Sequence, residues 1–113
     1  YYVNYEDFKD PTQRTKANKL AMQERCLVEV VQRKDPDNPV PHLYLSILRD
    51  RLGIYQGARE QREETKKLLE RSEFYRERFN YLGLDKILEQ AERGEFRKEN
   101  YSHTNTPQTA LNS

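Results

Sequence analysis

The residues with the widest chemical repertoire in this chain are His42, His103 and Cys26, and their spacing gives them no common task. A zinc site takes three or four thiolate, imidazole or carboxylate ligands at short intervals, and an activated nucleophile needs a base within hydrogen-bond reach. Neither histidine sits near acids or Cys26 in such a pattern, and His42 reads as a first-turn histidine at the surface or with its ring satisfied. The glycines Gly53, Gly57, Gly83 and Gly94 are scattered and form no phosphate-cradling loop. Carboxylate pairs such as Glu63/Glu64 stand in a charged run, where solvation is the default. Asn100-Tyr101-Ser102 matches a glycosylation acceptor, which matters only in a secreted protein. These residues predict no enzyme, no metal and no cofactor, so any function rests on the elements that arrange the surface.

Those elements must form from a sparse apolar supply. Hydrophobic residues make up 35% of the 113 and charged residues another 35%, against a usual charged share of about 25%. One domain with a thin core follows, or a core completed by a partner. The net charge of +1 supplies no field to draw the chain to nucleic acid or an anionic membrane. No apolar run approaches the roughly 20 residues of a membrane span, and no signal-peptide pattern opens the chain. The single Cys26, among Met22, Leu27, Val28 and Val30, reads as a buried thiol in a reducing, intracellular compartment, the cytoplasm first. The chain does not open on Met, which leaves room for an organellar targeting segment removed ahead of Tyr1.

The order of signals along the chain is helical throughout. Residues 1–9 carry Tyr1, Tyr2, Val3, Tyr5 and Phe8 without a period, an aromatic arm that docks on its own domain or on another chain. Asp10-Pro11-Thr12-Gln13 starts a helix, with Asp10 as cap and Pro11 in the first turn. That helix runs to about Lys34, where Asp35-Pro36 stops it. Its apolar residues fall on two sides: Ala17, Leu20, Ala21, Leu27, Val28 and Val31 on one, Met22, Cys26 and Val30 on the other. Such a helix is expected to be sandwiched. Asn38-Pro39 starts a second helix that ends at Gly53. A third runs from about Tyr55 to about Asn80 without a clear break, one face stepping through Ala58, Thr65, Leu68, Leu69, Ser72, Tyr75 and Phe79. A fourth, with Leu84, Ile87, Leu88 and Ala91, ends at Gly94. From Lys98 the chain is polar and aperiodic, a tail expected to be mobile unless a partner orders it. The expectation is an all-α domain over 10–97 of three to four antiparallel helices with flexible ends.

From Val40 to Glu70 the small Ser46, the pair Leu52-Gly53, Tyr55 and Ala58 resemble a tetratricopeptide helical hairpin, with Asp35 to Pro39 as the connector ahead of it. About 35 of the 113 residues are covered. The chain departs from the family's pattern at Arg49, Arg62 and Thr65, where an aromatic, a large aromatic and an alanine would be usual. A fainter echo at Leu82-Gly83-Leu84 comes 30 residues after Leu52-Gly53, against the family's period of about 34. A generic helix–turn–helix bundle accounts for the same residues. The resemblance implies a peptide- or partner-binding face on the second helix at Leu43, Tyr44, Ile47, Asp50 and Arg51. Leu43 and Ile47 would then be apolar anchors, or else core against the first helix.

The function these features predict is protein–protein interaction, as an adaptor or as a small structural subunit of a larger assembly. The alternative is an accessory protein of a ribonucleoprotein such as a ribosome, in which Arg76/Arg78 and Arg93/Arg97/Lys98 would meet phosphates.

Overall fold

The computed structural model describes residues 11–100. Among these residues there is no strand, and five α-helices follow one another with short connections. The first, α1 (Pro11–Glu29), begins at the proline that the sequence places in its first turn. Asp10, its expected cap, lies outside the described residues, as do the arm 1–9 and the tail beyond Asn100. At its far end α1 passes into a π-helical turn, Val30–Lys34, closed by a 2.8 Å bond from the Asp35 N–H to the Val30 carbonyl. Asp35 precedes a proline and is held out of the helical region at φ −153°, so the helix stops there.

The connector to the next helix is fastened at both ends. The Asn38 amide donates to the Asp35 carboxylate at 3.1 Å, and its Oδ1 accepts the Val40 N–H at 3.0 Å as the cap of α2 (Pro39–Leu52). His42 then holds the connector down: its ring nitrogens lie 2.9 Å from the Pro36 carbonyl and 2.7 Å from the Gln61 side chain. The carbonyl only accepts, so Nε2 carries the proton of the first bond. Gly53, at φ 85°, takes the left-handed conformation that ends α2, and the next N–H, of Ile54, bonds back to the Arg49 carbonyl at 2.8 Å.

After that turn, α3 (Tyr55–Arg71) packs along α2 in the most extensive helix contact of the fold. Ser46 on α2 and Ala58 on α3 are both fully buried, small residues that let the backbones approach. Two hydroxyls inside the core are satisfied by their own helices: Ser46 donates to the Leu43 carbonyl and Thr65 to the Gln61 carbonyl, both at 2.7 Å.

The third helix expected from the sequence is divided. Ser72 is extended (φ −135°, ψ 111°) and caps a separate helix, α4 (Glu73–Leu82), through a 3.3 Å bond from the Tyr75 N–H. The apolar period continues across the break, which is why the sequence reads through it. Gly83, at φ 74°, then turns the chain directly into α5 (Leu84–Glu92). Thus folded back, α4 and α5 bring Phe79, Leu84 and Leu88 onto Leu43, with Val40, Ile47, Leu69 and Ile87 packed around them. This cluster is the core, and α2 is its centre.

Two further expectations change. Cys26 is exposed rather than buried. Its helix is covered on one side, where Ala21, Glu24 and Val31 are buried, while Met22 on the other side is 61% exposed. The described residues do not sandwich α1.

Truncating the central side chain tests the core. Leu43→Ala should cost about 2–5 kcal/mol in urea unfolding, the range for a fully buried leucine. Tyr81→Ala, at a side chain that is 88% exposed, should stay within about 0.5 kcal/mol. Equal effects would place the core elsewhere.

Candidate functional site

The face of α2 that the tetratricopeptide resemblance assigned to a partner is closed from within the chain. Leu43 is fully buried and Ile47 half-buried, both packed with α4 and α5. Asp50 is buried too, ion-paired with Arg62 of α3 at 2.7 Å. Arg51 is half-buried, and Tyr44 alone of the five is open to solvent. Of the two roles open to Leu43 and Ile47, core is the one the fold uses, although the helices they meet are α4 and α5 and not α1.

The residues that break the family pattern have work of their own. Arg49 points to α1, where its guanidinium meets Glu24 at 3.2 Å, and its other nitrogen lies 3.5 Å from the Gly57 carbonyl of α3. A Cβ at Gly57 would come within 3.2 Å of the Arg49 side chain, so glycine leaves this arginine its path. Arg62 reaches from the other side to Asp50. Both acids are almost fully desolvated, Glu24 at 7% side-chain exposure and Asp50 at 2%. Two adjacent residues of α2 therefore send opposite charges to two different helices. Arg49 and Arg62 stand out in the sequence as cations at helix-interior positions, and that was the available signal.

A second polar cluster closes the far end of α2. The chain after α5 turns back so that the Arg97 guanidinium stacks 4.0 Å above the Tyr55 ring and pairs with Glu99 at 3.1 Å. The Tyr55 hydroxyl donates to the Glu99 carboxylate. Burial, and then the neighbouring Glu99, push the Tyr55 hydroxyl above its ordinary range, while the Tyr55 hydrogen bond draws Glu99 below its own. The Asn100 amide donates to the Gly94 carbonyl at 2.6 Å, which holds this end in place. Tyr55 and Glu99 are 44 positions apart, so no local pattern announces their pairing.

Among the described residues two apolar surfaces remain open. One runs along α1 beside α2: a groove of about 980 Å³ lined by Ala21, Met22, Glu24, Arg25, Val28 and Glu29 of α1 and by Arg49 of α2. Exposed Cys26 lies one turn beyond Met22 on the same stripe. The other is the outer side of α4, where Phe74, Tyr81 and Leu82 are 62%, 88% and 52% exposed. The Arg78 guanidinium covers part of it, 5.9 Å from the Phe74 ring centre. This stripe was readable in the sequence from its spacing of four, three and one.

Among the described residues no group of three or more His, Cys, Asp or Glu side chains is placed to hold a metal ion, and no helix is long and apolar enough to cross a membrane. No protein-family model matches the chain, and neither curated proteins nor solved structures show a significant match to it.

Asp50 gives the site a measurable signature. Burial raises its carboxyl above the ordinary 3.8, against the opposing pull of Arg62. Just above pH 3.8 the folded chain keeps a proton that the unfolded chain has released. The stability tied to this group is therefore complete below 3.8 and lost as pH rises through the folded value. The unfolding free energy of the wild type minus that of Asp50→Asn should decline with rising pH across this window. A difference that grows with pH would show that Arg62 outweighs burial.

Proposed function

We propose that this chain is a protein–protein interaction module with a tetratricopeptide-like hairpin at its centre, acting as an adaptor or as a small structural subunit of a larger assembly. In this reading it performs no catalysis and holds no cofactor. It works inside the cell, in the cytoplasm or in an organelle, where an exposed Cys26 thiol stays reduced.

The observation that carries the proposal is the uncovered side of α1. Its sequence is apolar on two sides, and the described residues cover only one. Met22, an adaptable side chain suited to irregular contacts, stands at the edge of the groove with Cys26 one turn away. Opposite charges at Arg25 and Glu29 line the same groove with Ala21 and Val28, the mixture of apolar and charged side chains that protein interfaces use. A helix or an extended segment of another protein is the occupant that fits.

Phosphate binding draws less support, because the arginines it would enlist are engaged. Arg76 bonds the Leu69 and Glu70 carbonyls, Arg78 covers Phe74, Arg93 pairs with Glu95, and Arg97 pairs with Glu99.

Quantitative capture from the native cell tests the assignment. Proteins retained by the wild-type chain should fall about tenfold or more on Met22→Glu/Cys26→Glu, the effect of losing roughly 1.4 kcal/mol of contact. Circular dichroism and melting temperature should not change. Undiminished capture by the variant would remove α1 from the interface.

A further inference from the structure

The break at Ser72 is a single residue wide, and what holds it open is specific. In a continuous helix the Leu69 and Glu70 carbonyls would accept from the N–H groups of Glu73 and Phe74, and the Arg71 carbonyl from that of Tyr75. Here the Arg76 guanidinium takes the Leu69 and Glu70 carbonyls instead, at 2.9 and 3.0 Å. The Ser72 hydroxyl takes the Tyr75 N–H at 3.3 Å. The next bond of the helical ladder, from the Arg76 N–H to the Ser72 carbonyl, is already made at 3.1 Å. No glycine or proline stands at Arg71, Ser72 or Glu73 to forbid the helix. Two side chains thus replace three backbone bonds, and the apolar period of α3 continues into α4 as though the break were absent.

Beyond the break lies an arm, α4 and α5, whose contacts with the rest are self-contained. Phe79, Leu84 and Leu88 fill the Leu43 surface of α2, Glu92 pairs with Lys66 of α3 at 2.5 Å, and beyond α5 Arg97 and Glu99 meet Tyr55 of α3 and travel with the arm. The contacts of α4 with α3 beside the break are the ones a straightened helix would lose; the others need only an α2–α3 surface of this shape.

We propose that Ser72 is a hinge for exchange of the α4–α5 arm between two copies of this chain. With Ser72 helical, residues 55–82 form one helix about 42 Å long at 1.5 Å per residue, which carries the arm away from its own α2. The surface exposed by its departure, centred on Leu43 and Ile47, fits one occupant on its chemistry: another copy's Leu84, Ile87 and Leu88, with that copy's Glu92 on Lys66. The exchange is reciprocal and closes as a two-fold dimer. It retains the core contacts and alters the hinge, so its extent rises with protein concentration. This pairing does not involve the outer side of α1 and stands or falls separately from the function proposed above.

Two variants push the hinge in opposite directions. Ser72→Ala/Arg76→Ala removes both groups that hold the break and should raise the dimerisation constant roughly tenfold, the scale of a lost helix cap. Glu73→Pro suits the first position of α4 and the extended Ser72 before it, yet forbids a helix running through. That variant should remain monomeric with unchanged helicity. The full chain is refolded from denaturant at low and high concentration and its mass read by light scattering. Equal amounts of isotopically heavy and light chain are refolded together and treated with a carbodiimide, which joins Lys66 to Glu92. Mixed-mass Lys66–Glu92 crosslinks in the dimer fraction, absent from Glu73→Pro, support the exchange. Dimerisation of Glu73→Pro equal to wild type, or a dimer whose Lys66–Glu92 crosslinks are all same-mass, overturns it. So does a wild-type chain that remains monomeric alongside a monomeric Ser72→Ala/Arg76→Ala. If the double variant loses helicity, Arg76→Ala alone is compared with Glu73→Pro on the same scale.

Discussion

Arg49 and Asp50 are neighbours on α2, and both are charges drawn largely out of water, Asp50 at 2% side-chain exposure and Arg49 at 18%. A helix with opposite charges on two inward directions cannot be left alone, since an unpaired buried charge costs several kcal/mol. Glu24 on α1 and Arg62 on α3 supply the two counter-charges from opposite sides. The third side of α2 carries Leu43 and Ile47 and is covered by α5. The order of packing around the central helix follows from these three demands, two ionic and one apolar.

The same demands explain how a chain with so many charged residues builds a core. The buried apolar set is small, with Leu43, Leu45, Leu48, Leu68, Phe79, Leu84 and Leu88 as its larger members. Glu24, His42, Ser46, Asp50 and Thr65 are buried among them, and each has a partner. Polar pairs occupy interior positions that a richer sequence would give to aliphatic side chains. What remains apolar but uncovered, on α1 and on α4, is surface that the described fold has no further helix to cover.

The helices and most of their ends were legible because their signals are local. Pro11, Asn38-Pro39, Gly53, Gly83 and Gly94 act within a turn of themselves, through fixed φ, a missing N–H or a permitted left-handed conformation. The break at Ser72 was missed because its cause lies partly in Arg76, a side chain that reaches back to carbonyls six and seven residues earlier. Cys26 was misplaced for a related reason. Its apolar neighbours follow helical spacing, but spacing tells which residues share a side and not which side is covered. The residues assigned to a partner were found on one helix as expected; Leu43 and Ile47 turned inward because α5, far along the chain, had the apolar stripe to match them.

Apolar faces alone would leave the register of this bundle loosely defined. Leu43, Ile47 and their neighbours would accept an amphipathic helix shifted by a turn with modest loss, since close packing tolerates apolar exchange better than it tolerates a misplaced charge. The ionic pairs have no such tolerance. Sliding α1 by one turn against α2 moves Glu24 about 5.4 Å, beyond reach of Arg49, and leaves both charges desolvated and single. Sliding α3 does the same to Asp50 and Arg62. These pairs add little net stability, since the cost of desolvating them offsets their attraction. Their effect lies in the arrangements they penalise, and that is why the α1–α2–α3 layer is held in one register while the α4–α5 arm, joined to it by apolar contacts, a half-exposed ion pair and the Arg97 and Glu99 contacts with Tyr55, is the part proposed to exchange.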